Sequence, residues 1–465
     1  MPQIPAAEVP ADLLHALAEC QGRVVLVIGA GCSIEQPTGL KLSSVYAVEA
    51  MRQLVLDGVL DEGDCDRPED LSLVASAVWE RHGTQVPVVE RLPRGEFRTA
   101  RPNDGYLIAA ALLREGAVSC VLTLNFDLAM STALTDLSAS EVQVIVGPQH
   151  LAELGSSTVI YLHRNVDEDD AERWILRREA LEDEWRDDWQ EVVTRRVMAA
   201  PVTVFAGLGS PAAVLTETVT RIRAAVSDAL KTYVVDPADA TAFQAALNLP
   251  PESHLQSGWV DFMRRLGARV AAEHCAGLET AAHALCAEHG WDDEAQHAPS
   301  VCSRFTELGL VLSGKLRALW LLDAQGYAPD DARRALIADL LLGIGLVERE
   351  LQASAHFRDD GAVEFRQDAT IVASVLVVSG GGTRRWAALE PRVRAVAGGL
   401  RADTRPAYAI LGGVQGARPE QIAPPEDILM GDSDGDIIAG ADLVMNLVLI
   451  DELRDDPAQI RALAA

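Results

Sequence analysis

Short apolar runs alternate with longer segments of helical periodicity as far as about residue 245. Continuous apolar runs of this kind are typical of parallel strands that are covered on both faces. The runs are VVLVIG (24–29), VSCVLTL (118–124), VQVIV (142–146), VIYLH (159–163), VTVFAG (202–207) and TYVVD (232–236). Helical spacing of apolar residues occurs at 42–57, 71–81, 103–115, 178–198 and 212–229. This alternation predicts an α/β fold with a doubly wound, Rossmann-like parallel sheet and helical insertions.

The pattern changes in the second half of the chain. A helix is predicted over 257–275, and the polar stretch GWDDEAQHAPS (290–300) follows it. Two long apolar helices are predicted over about 302–325 and 329–353, and the last hundred residues return to a mixed α/β pattern. We therefore predict two domains, residues 1–290 and residues 291–465. The second would combine helices with an α/β region and serve regulation or assembly.

Composition narrows the classes of partner. The 465 residues carry a formal net charge of −29, and such an acidic surface repels phosphate backbones, so direct nucleic-acid binding is not expected. The cysteine count of 7 is odd and includes no Cys-x-x-Cys pair, which favours reduced thiols in the cytoplasm. No basic, apolar leader and no apolar run of about 20 residues is present, so we expect a cytoplasmic protein without membrane segments.

The first apolar run ends in a glycine-containing turn, Gly29-Ala30-Gly31-Cys32-Ser33. Glycines at the end of a strand let a phosphate approach the backbone, and the N–H groups of a following helix attract its charge. A tight strand–helix turn without a ligand explains the same residues equally well. Position 34 is an isoleucine, where the dehydrogenase fingerprint has its third glycine, which disfavours a hydride-transfer site.

Three later runs also end in polar or glycine residues. Asn125 and Asp127 follow the second run, and His163 ends the fourth. The fifth run leads into Gly207, Gly209 and Ser210. Carboxyl ends of parallel strands line a common crevice. Taken singly, each feature also has a structural explanation: a helix cap, a hydrogen-bonded histidine or a turn.

In this order, the four elements resemble the sirtuin-like family over about residues 20–275. That family reads Gly-Ala-Gly-x-Ser, Thr-x-Asn-x-Asp, a strand-ending histidine and Gly-x-(Gly/Thr)-Ser. The resemblance implies a site for NAD, bound as a substrate. It implies that Asn125 and Asp127 hold the nicotinamide ribose, that His163 is the general base and that Asp236 reaches the adenosine ribose. The glycine turns would hold the diphosphate, and the cofactor-binding residues besides Asp236 would be Gly29, Ala30, Gly31, Ser33, Thr38, Gly207, Gly209 and Ser210.

Two departures from the family pattern refine this expectation. No cysteine lies between Asp127 and Gly207, so the zinc module of sirtuin deacylases is missing, and the chain is more similar to the bacterial sirtuin-like NAD hydrolases of anti-phage defence. Arg164 stands where family members usually have glycine after the histidine. An arginine there would clash with the substrate or bind its phosphate.

The resemblance implies an NAD glycohydrolase that yields ADP-ribose and nicotinamide and acts in abortive anti-phage defence. Such an enzyme must be silent at rest, so we expect a homo-oligomer and activation by a partner such as a ring ATPase or a short Argonaute. Two alternatives stay open at this point: a catalytically silent NAD-binding scaffold, and an NAD-dependent protein deacylase. We expect no metal, because neither the His283, Cys286 and His289 cluster nor the acidic stretch 432–443 has a recognised ligand pattern.

Overall fold

The computed structural model describes residues 8–153, 155–180, 189–209, 230–322, 330–379, 406–412 and 446–464, with positions 393, 396, 397 and 400. The chain divides into two compact units, Met1–Val270 and Ala271–Ala465. Predictions made for Ser210, for a helix at 212–229 and for the stretch 432–443 lie outside the described residues.

The first unit is built on a seven-stranded sheet in the order β3-β4-β2-β1-β5-β6-β7, and every neighbouring pair is parallel. The strands are β1 Val24–Ile28, β2 Val118–Thr123, β3 Gln143–Ile145, β4 Thr158–Tyr161, β5 Val202–Ala206, β6 Lys231–Val235 and β7 His254–Leu255. This confirms the predicted doubly wound parallel sheet. Strand β1 pairs with β2 on one side and with β5 on the other. The strand order therefore reverses at β1, which is the topological switch point where ligands bind in such sheets.

Nine helices lie in the described part of the first unit, and a tenth begins there and continues past residue 270. They are α1 Ala11–Ala18, α2 Ser43–Leu56, α3 Leu71–His82, α4 Val86–Val89, α5 Arg94–Arg98, α6 Asp104–Arg114, α7 Ala129–Asp136, α8 Trp189–Val197, α9 Thr241–Ala246 and α10 Trp259–His289. Short 3₁₀ turns lie at Ala30–Ser33, Pro148–Glu153, Ala171–Arg173 and Pro251–Ser253. The helices predicted from periodicity at 42–57, 71–81 and 103–115 correspond to α2, α3 and α6.

The strands are apolar on both faces because both faces are covered. Val25 and Val27 of β1 belong to a core cluster that includes residues of α8 and α9. The alternate residues Val24, Leu26 and Ile28 are also buried, at 1% exposure or less. A strand covered on one side only would have alternated between apolar and polar residues.

The second unit contains a five-stranded mixed sheet in the order β12-β11-β10-β9-β8. Its strands are β8 Ser354–Phe357, β9 Ala362–Gln367, β10 Thr370–Ser379, β11 Tyr408–Gly412 and β12 Asn446–Leu449. The described helices here are α11 Asp292–Glu307, α12 Gly309–Trp320, α13 Asp331–Leu351, α14 Ile450–Asp455 and α15 Ala458–Ala462. Apolar residues of α13 pack in one core cluster with β9, β10 and β11. The predicted α/β character of this region is confirmed.

Most of the polar stretch 290–300, where the domain boundary was predicted, is helical. Residues 292–307 form α11, and α10 continues to His289, beyond the end predicted at 275. Three acids open α11: Asp292, Asp293 and Glu294 lie in its first turn, where negative charge stabilises the helix dipole. The division between the two units falls at 270/271, inside α10. In the described part of the chain, no helix has the combination of length and apolar character that crossing a membrane requires.

Candidate active site

A cleft of about 680 Å³ lies at the carboxyl ends of β1, β2, β4 and β5. Its volume falls within the range of small-molecule sites. Most of the sequence-predicted site residues line this one cleft: Gly29, Ala30, Gly31, Ser33, Asn125, Asp127, His163, Gly207 and Gly209. The four motifs, which are separated by up to 180 positions in the chain, therefore converge because each of them follows a strand of the same parallel sheet.

Gly31 and Gly207 allow a close contact between the turn after β1 and the turn after β5. Gly31 N donates a hydrogen bond of 2.8 Å to Gly207 O. A Cβ added at Gly31 would lie 2.6 Å from Gly207 Cα, and one added at Gly207 would lie 2.5 Å from Cys32 N. Gly207 also has a φ of +65°, in the left-handed region that favours glycine. The turns after β1 and β5 thus form one tightly packed floor, on which a ligand can approach bare backbone.

The side chain of Asn125 is held in place by the contacts of its amide nitrogen. Its Nδ2 donates to Gly29 O at 3.1 Å, and it lies 3.2 Å from Ser33 Oγ and 3.1 Å from Tyr106 OH. The side chain is 7% exposed. Position 125 thereby links the turn after β1 to the turn after β2.

Asp127 is a buried carboxylate at the same end of the sheet. Ser33 Oγ donates to its Oδ2 at 2.8 Å, and Ala129 N at the start of α7 donates to its Oδ1 at 3.0 Å. Burial raises the pKa of Asp127, while the bonds from Ser33 and Ala129 act in the opposite direction. One carboxyl group therefore joins the turn after β1 to the first residue of α7.

His163 lies two residues beyond the end of β4 and is 8% exposed. Burial lowers the pKa of His163 to about 4, and a backbone hydrogen bond with Leu124 opposes this shift. The imidazole is consequently neutral at pH 7, which is the form that accepts a proton. Its ring centroid is 6.4 Å from that of Phe126, which stacks on Trp174 at 4.6 Å.

Arg164 does not line the cleft. Its Nη1 donates to Val146 O at 2.5 Å, and its guanidinium lies 5.6 Å from the centroid of the Trp189 ring. Its backbone has a φ of +72°, a conformation that glycine adopts without strain. The expected clash with substrate, or contact with its phosphate, is therefore not what the structure shows: the side chain turns toward β3 and α8.

Two further predicted residues lie outside the cleft lining. Thr38 is buried, and its Oγ1 accepts a hydrogen bond of 3.0 Å from Asn103 N. Asp236 follows β6 and accepts from Ala238 N at 2.7 Å. Neither residue is among those that line the cavity. The Thr38 side chain bonds to the residue that caps α6, and the Asp236 side chain bonds to the turn that follows β6.

Two residues of the site were missed by the sequence reading. Asn103 caps α6 and donates from Nδ2 to Cys32 O at 2.9 Å, which ties the glycine turn to that helix. Tyr106 in the first turn of α6 is 1% exposed and places its OH 2.6 Å from Ser33 Oγ. The helix cap Asn103 was recognisable from sequence, but nothing in the spacing pointed Tyr106 toward the turn.

Among the residues that the structure describes, no group of three histidine, cysteine or acidic side chains is arranged to hold a metal ion. The His283 and Cys286 side chains belong to α10. His283 Nδ1 lies 2.7 Å from Glu279 O, one turn earlier, and Cys286 is buried in an apolar cluster.

No protein-family model and no curated protein matches this chain. Solved structures of Sir2 proteins are similar to it. A Sir2 homologue in complex with NAD is 15% identical with a TM-score of 0.31, over 56% of this chain and 93% of that one. A mutant Sir2 homologue in complex with 2′-O-acetyl ADP-ribose is 19% identical with a TM-score of 0.34, over 56% and 96%. A third, from work on the mechanism and regulation of Sir2 enzymes, is 14% identical with a TM-score of 0.32, over 56% and 97%. Similarity at this level assigns no function to this chain.

Proposed function

We propose that this chain is an NAD-consuming hydrolase that cleaves the bond between nicotinamide and ribose. One observation carries the proposal. A neutral histidine, a buried carboxylate and an oriented carboxamide line the same cleft as two interlocked glycine turns. The glycine floor suits a diphosphate, and the three side chains suit the reaction at the adjoining ribose.

The chemistry follows from the bond that breaks. Nicotinamide leaves with the electron pair of the C–N bond, and positive charge develops on the ribose. The Asp127 carboxylate, in a buried position, stabilises that charge. Water adds its oxygen to the ribose carbon, and His163 takes the proton that the water loses. The products are ADP-ribose, nicotinamide and one proton.

The pKa of His163, about 4, favours the neutral form at the expense of basicity. A general base works best when its pKa is close to the working pH. The diphosphate of a bound NAD would bring negative charge into the cleft and raise the pKa of His163. Binding of the substrate would therefore strengthen the base that acts on it.

The two alternatives are less well supported. The scaffold alternative is favoured by an arginine after the catalytic histidine, but the Arg164 side chain contacts Val146 and Trp189 instead of the cleft. The deacylase hypothesis needs the zinc module, and residues 128–206 contain no cysteine. Water is therefore the proposed acceptor of the ribosyl group.

The proposal extends to regulation. A hydrolase that depletes NAD must be held inactive, and we propose that the second unit provides assembly or activation and that the biological role is abortive anti-phage defence. A homo-oligomer with a protein partner, such as a ring ATPase or a short Argonaute, would be the active form, and the cytoplasm its location. The support for these points is the resemblance in the motifs alone.

The test is an incubation of the purified full chain with NAD, alone and with the product of the adjacent gene. Chromatography would follow nicotinamide and ADP-ribose, and a parallel arm would contain an acetyl-lysine peptide. We expect equal amounts of both products and no O-acetyl-ADP-ribose. NAD left intact in every arm, or an acetylated product, contradicts the proposal.

A further inference from the structure

We propose that Tyr106 is a positioning residue with two roles. Its hydroxyl holds the Asn125 carboxamide so that the carboxamide oxygen is available to the ligand. The same hydroxyl donates to Ser33, which in turn donates to Asp127. This inference rests on the proposed function, because it concerns the same cleft. Tyr106 lies on α6, outside all four motifs, and its hydroxyl is the meeting point of Ser33 and Asn125.

Counting protons fixes the direction of each bond. The proposed function requires Asp127 as a carboxylate, and a carboxylate only accepts, so the Ser33 hydroxyl donates its one proton to Asp127 Oδ2, at 2.8 Å. Ser33 Oγ must then accept from Tyr106 OH, at 2.6 Å. The tyrosine hydroxyl has thereby used its own proton and can only accept from Asn125 Nδ2. The order of donation is Tyr106 to Ser33 to Asp127.

The same count orients the carboxamide. Asn125 Nδ2 has two protons for three oxygen neighbours, on Gly29, Ser33 and Tyr106. The opposite orientation would put Oδ1 against Gly29 O, and two acceptors repel. No hydrogen bond to Oδ1 is made within the described residues, and Asn125 lines the cleft. Oδ1 is therefore the atom offered to a ribose hydroxyl or to the attacking water.

The surroundings make this tyrosine a donor that stays protonated. Burial raises the pKa of Tyr106 well above its usual range, and the charge of Asp127 acts in the same direction. Its ring contacts Trp259 edge to face, with centroids 6.0 Å apart. Removal of the hydroxyl alone therefore leaves the ring and its packing in place.

The test is Tyr106→Phe, with Tyr161→Phe as the matched control. Tyr161 is also fully buried and its hydroxyl lies 2.9 Å from Ser131 Oγ, so both variants lose one buried hydroxyl. We expect Tyr106→Phe to keep its NAD affinity within about threefold and to lose about 10- to 100-fold in kcat, since a loosened reacting group costs rate rather than ground-state binding. Tyr161→Phe should match wild type in both NAD affinity and kcat.

The pH profile distinguishes positioning from a general structural effect. The bond from Ser33 lowers the pKa of Asp127, and a donor behind Ser33 strengthens that bond. Tyr106→Phe should therefore move the acid limb of kcat to higher pH. If that variant does not fold, 3-fluorotyrosine at position 106 keeps the hydroxyl, makes it a stronger donor and should move the limb to lower pH.

A readout without turnover separates this inference from the proposed function. The carboxyl carbon of Asp127, labelled with ¹³C and assigned by Asp127→Asn, reports its own titration. A raised midpoint in Tyr106→Phe but not in Tyr161→Phe supports the chain even if no nicotinamide is ever released. An unchanged midpoint and an unchanged kcat overturn it. If wild type releases no nicotinamide but the Asp127 midpoint is raised in Tyr106→Phe, the proposed hydrolase function is refuted and the positioning role of Tyr106 is not.

Discussion

Replacement of Gly31 by alanine tests the contact on which the cleft floor depends. The added Cβ would lie 2.6 Å from Gly207 Cα and 3.0 Å from Gly207 O. Both are backbone atoms, so no side chain can rotate away. Carbon atoms in contact normally lie about 3.5–4.0 Å apart, and the two turns must therefore separate by roughly 1 Å.

That separation has two consequences of estimable size. The hydrogen bond from Gly31 N to Gly207 O, now 2.8 Å, would be lost or weakened, at about 1 kcal/mol. Overpacking of this kind typically costs about 1–3 kcal/mol, which corresponds to a lower melting temperature by roughly 2–10 °C for a unit of this size. A ligand held against both turns would lose a similar free energy, or about 5- to 150-fold in affinity.

Calorimetric titration with NAD and thermal unfolding of the same variant measure both effects. Gly63→Ala is the matched control, because Gly63 is not among the residues that line the cleft and a Cβ there would meet nothing within 4 Å. We expect Gly63→Ala to bind NAD and melt like wild type. Wild-type affinity and melting temperature in Gly31→Ala would refute the role assigned to the paired turns.

Three further predictions concern other parts of the chain. Arg164→Gly should be more stable than Arg164→Ala by about 1 kcal/mol in urea unfolding, because both lose the same contacts but only glycine relieves the positive φ; equal stability contradicts this. Because the pKa of His163 is lowered to about 4 from 6.5, the unfolded chain binds its proton first, and stability should fall as pH drops from 6.5 toward 4. At pH 5 the free energy of unfolding should be about 2 kcal/mol lower than at pH 7, and His163→Gln should not show this loss. Parallel curves of unfolding free energy against pH for the two proteins would rule out the lowered pKa of His163. A chain ending at residue 290 keeps α10 whole and should bind NAD but fail to assemble or respond to its activator, as judged by light scattering and nicotinamide release; full activation of that fragment would exclude a regulatory second unit.

The sheet of the first unit was predictable because burial on both faces leaves a local signature. The six predicted runs correspond to β1–β6, and their ends differ from those of the strands by at most two residues. The strand β7 was missed, since two residues, His254 and Leu255, give no periodicity. Convergence of the motifs in one cleft also follows from the parallel order of the strands.

The parts that escaped prediction depend on contacts between distant residues. The acidic start of α11 lies at the predicted domain boundary, but Glu294 is buried against Arg454 at 3.2 Å, 160 positions later. Tyr106 reaches Ser33 across 73 positions. The Arg164 side chain could not be placed without the positions of Val146 and Trp189. No local pattern encodes such pairs.

The catalytic assignment of His163 is the central claim, and one comparison tests it most directly. Nicotinamide release by His163→Ala would be measured by chromatography under conditions in which wild type is active, with NAD binding measured by calorimetry on the same preparation. Asn125→Ala serves as a second variant of the site, and His150→Ala as a control histidine that does not line the cleft. We predict near wild-type NAD affinity for His163→Ala, because the glycine floor does not depend on that side chain, with release lower by about 100- to 10,000-fold. Full turnover in His163→Ala would contradict the account.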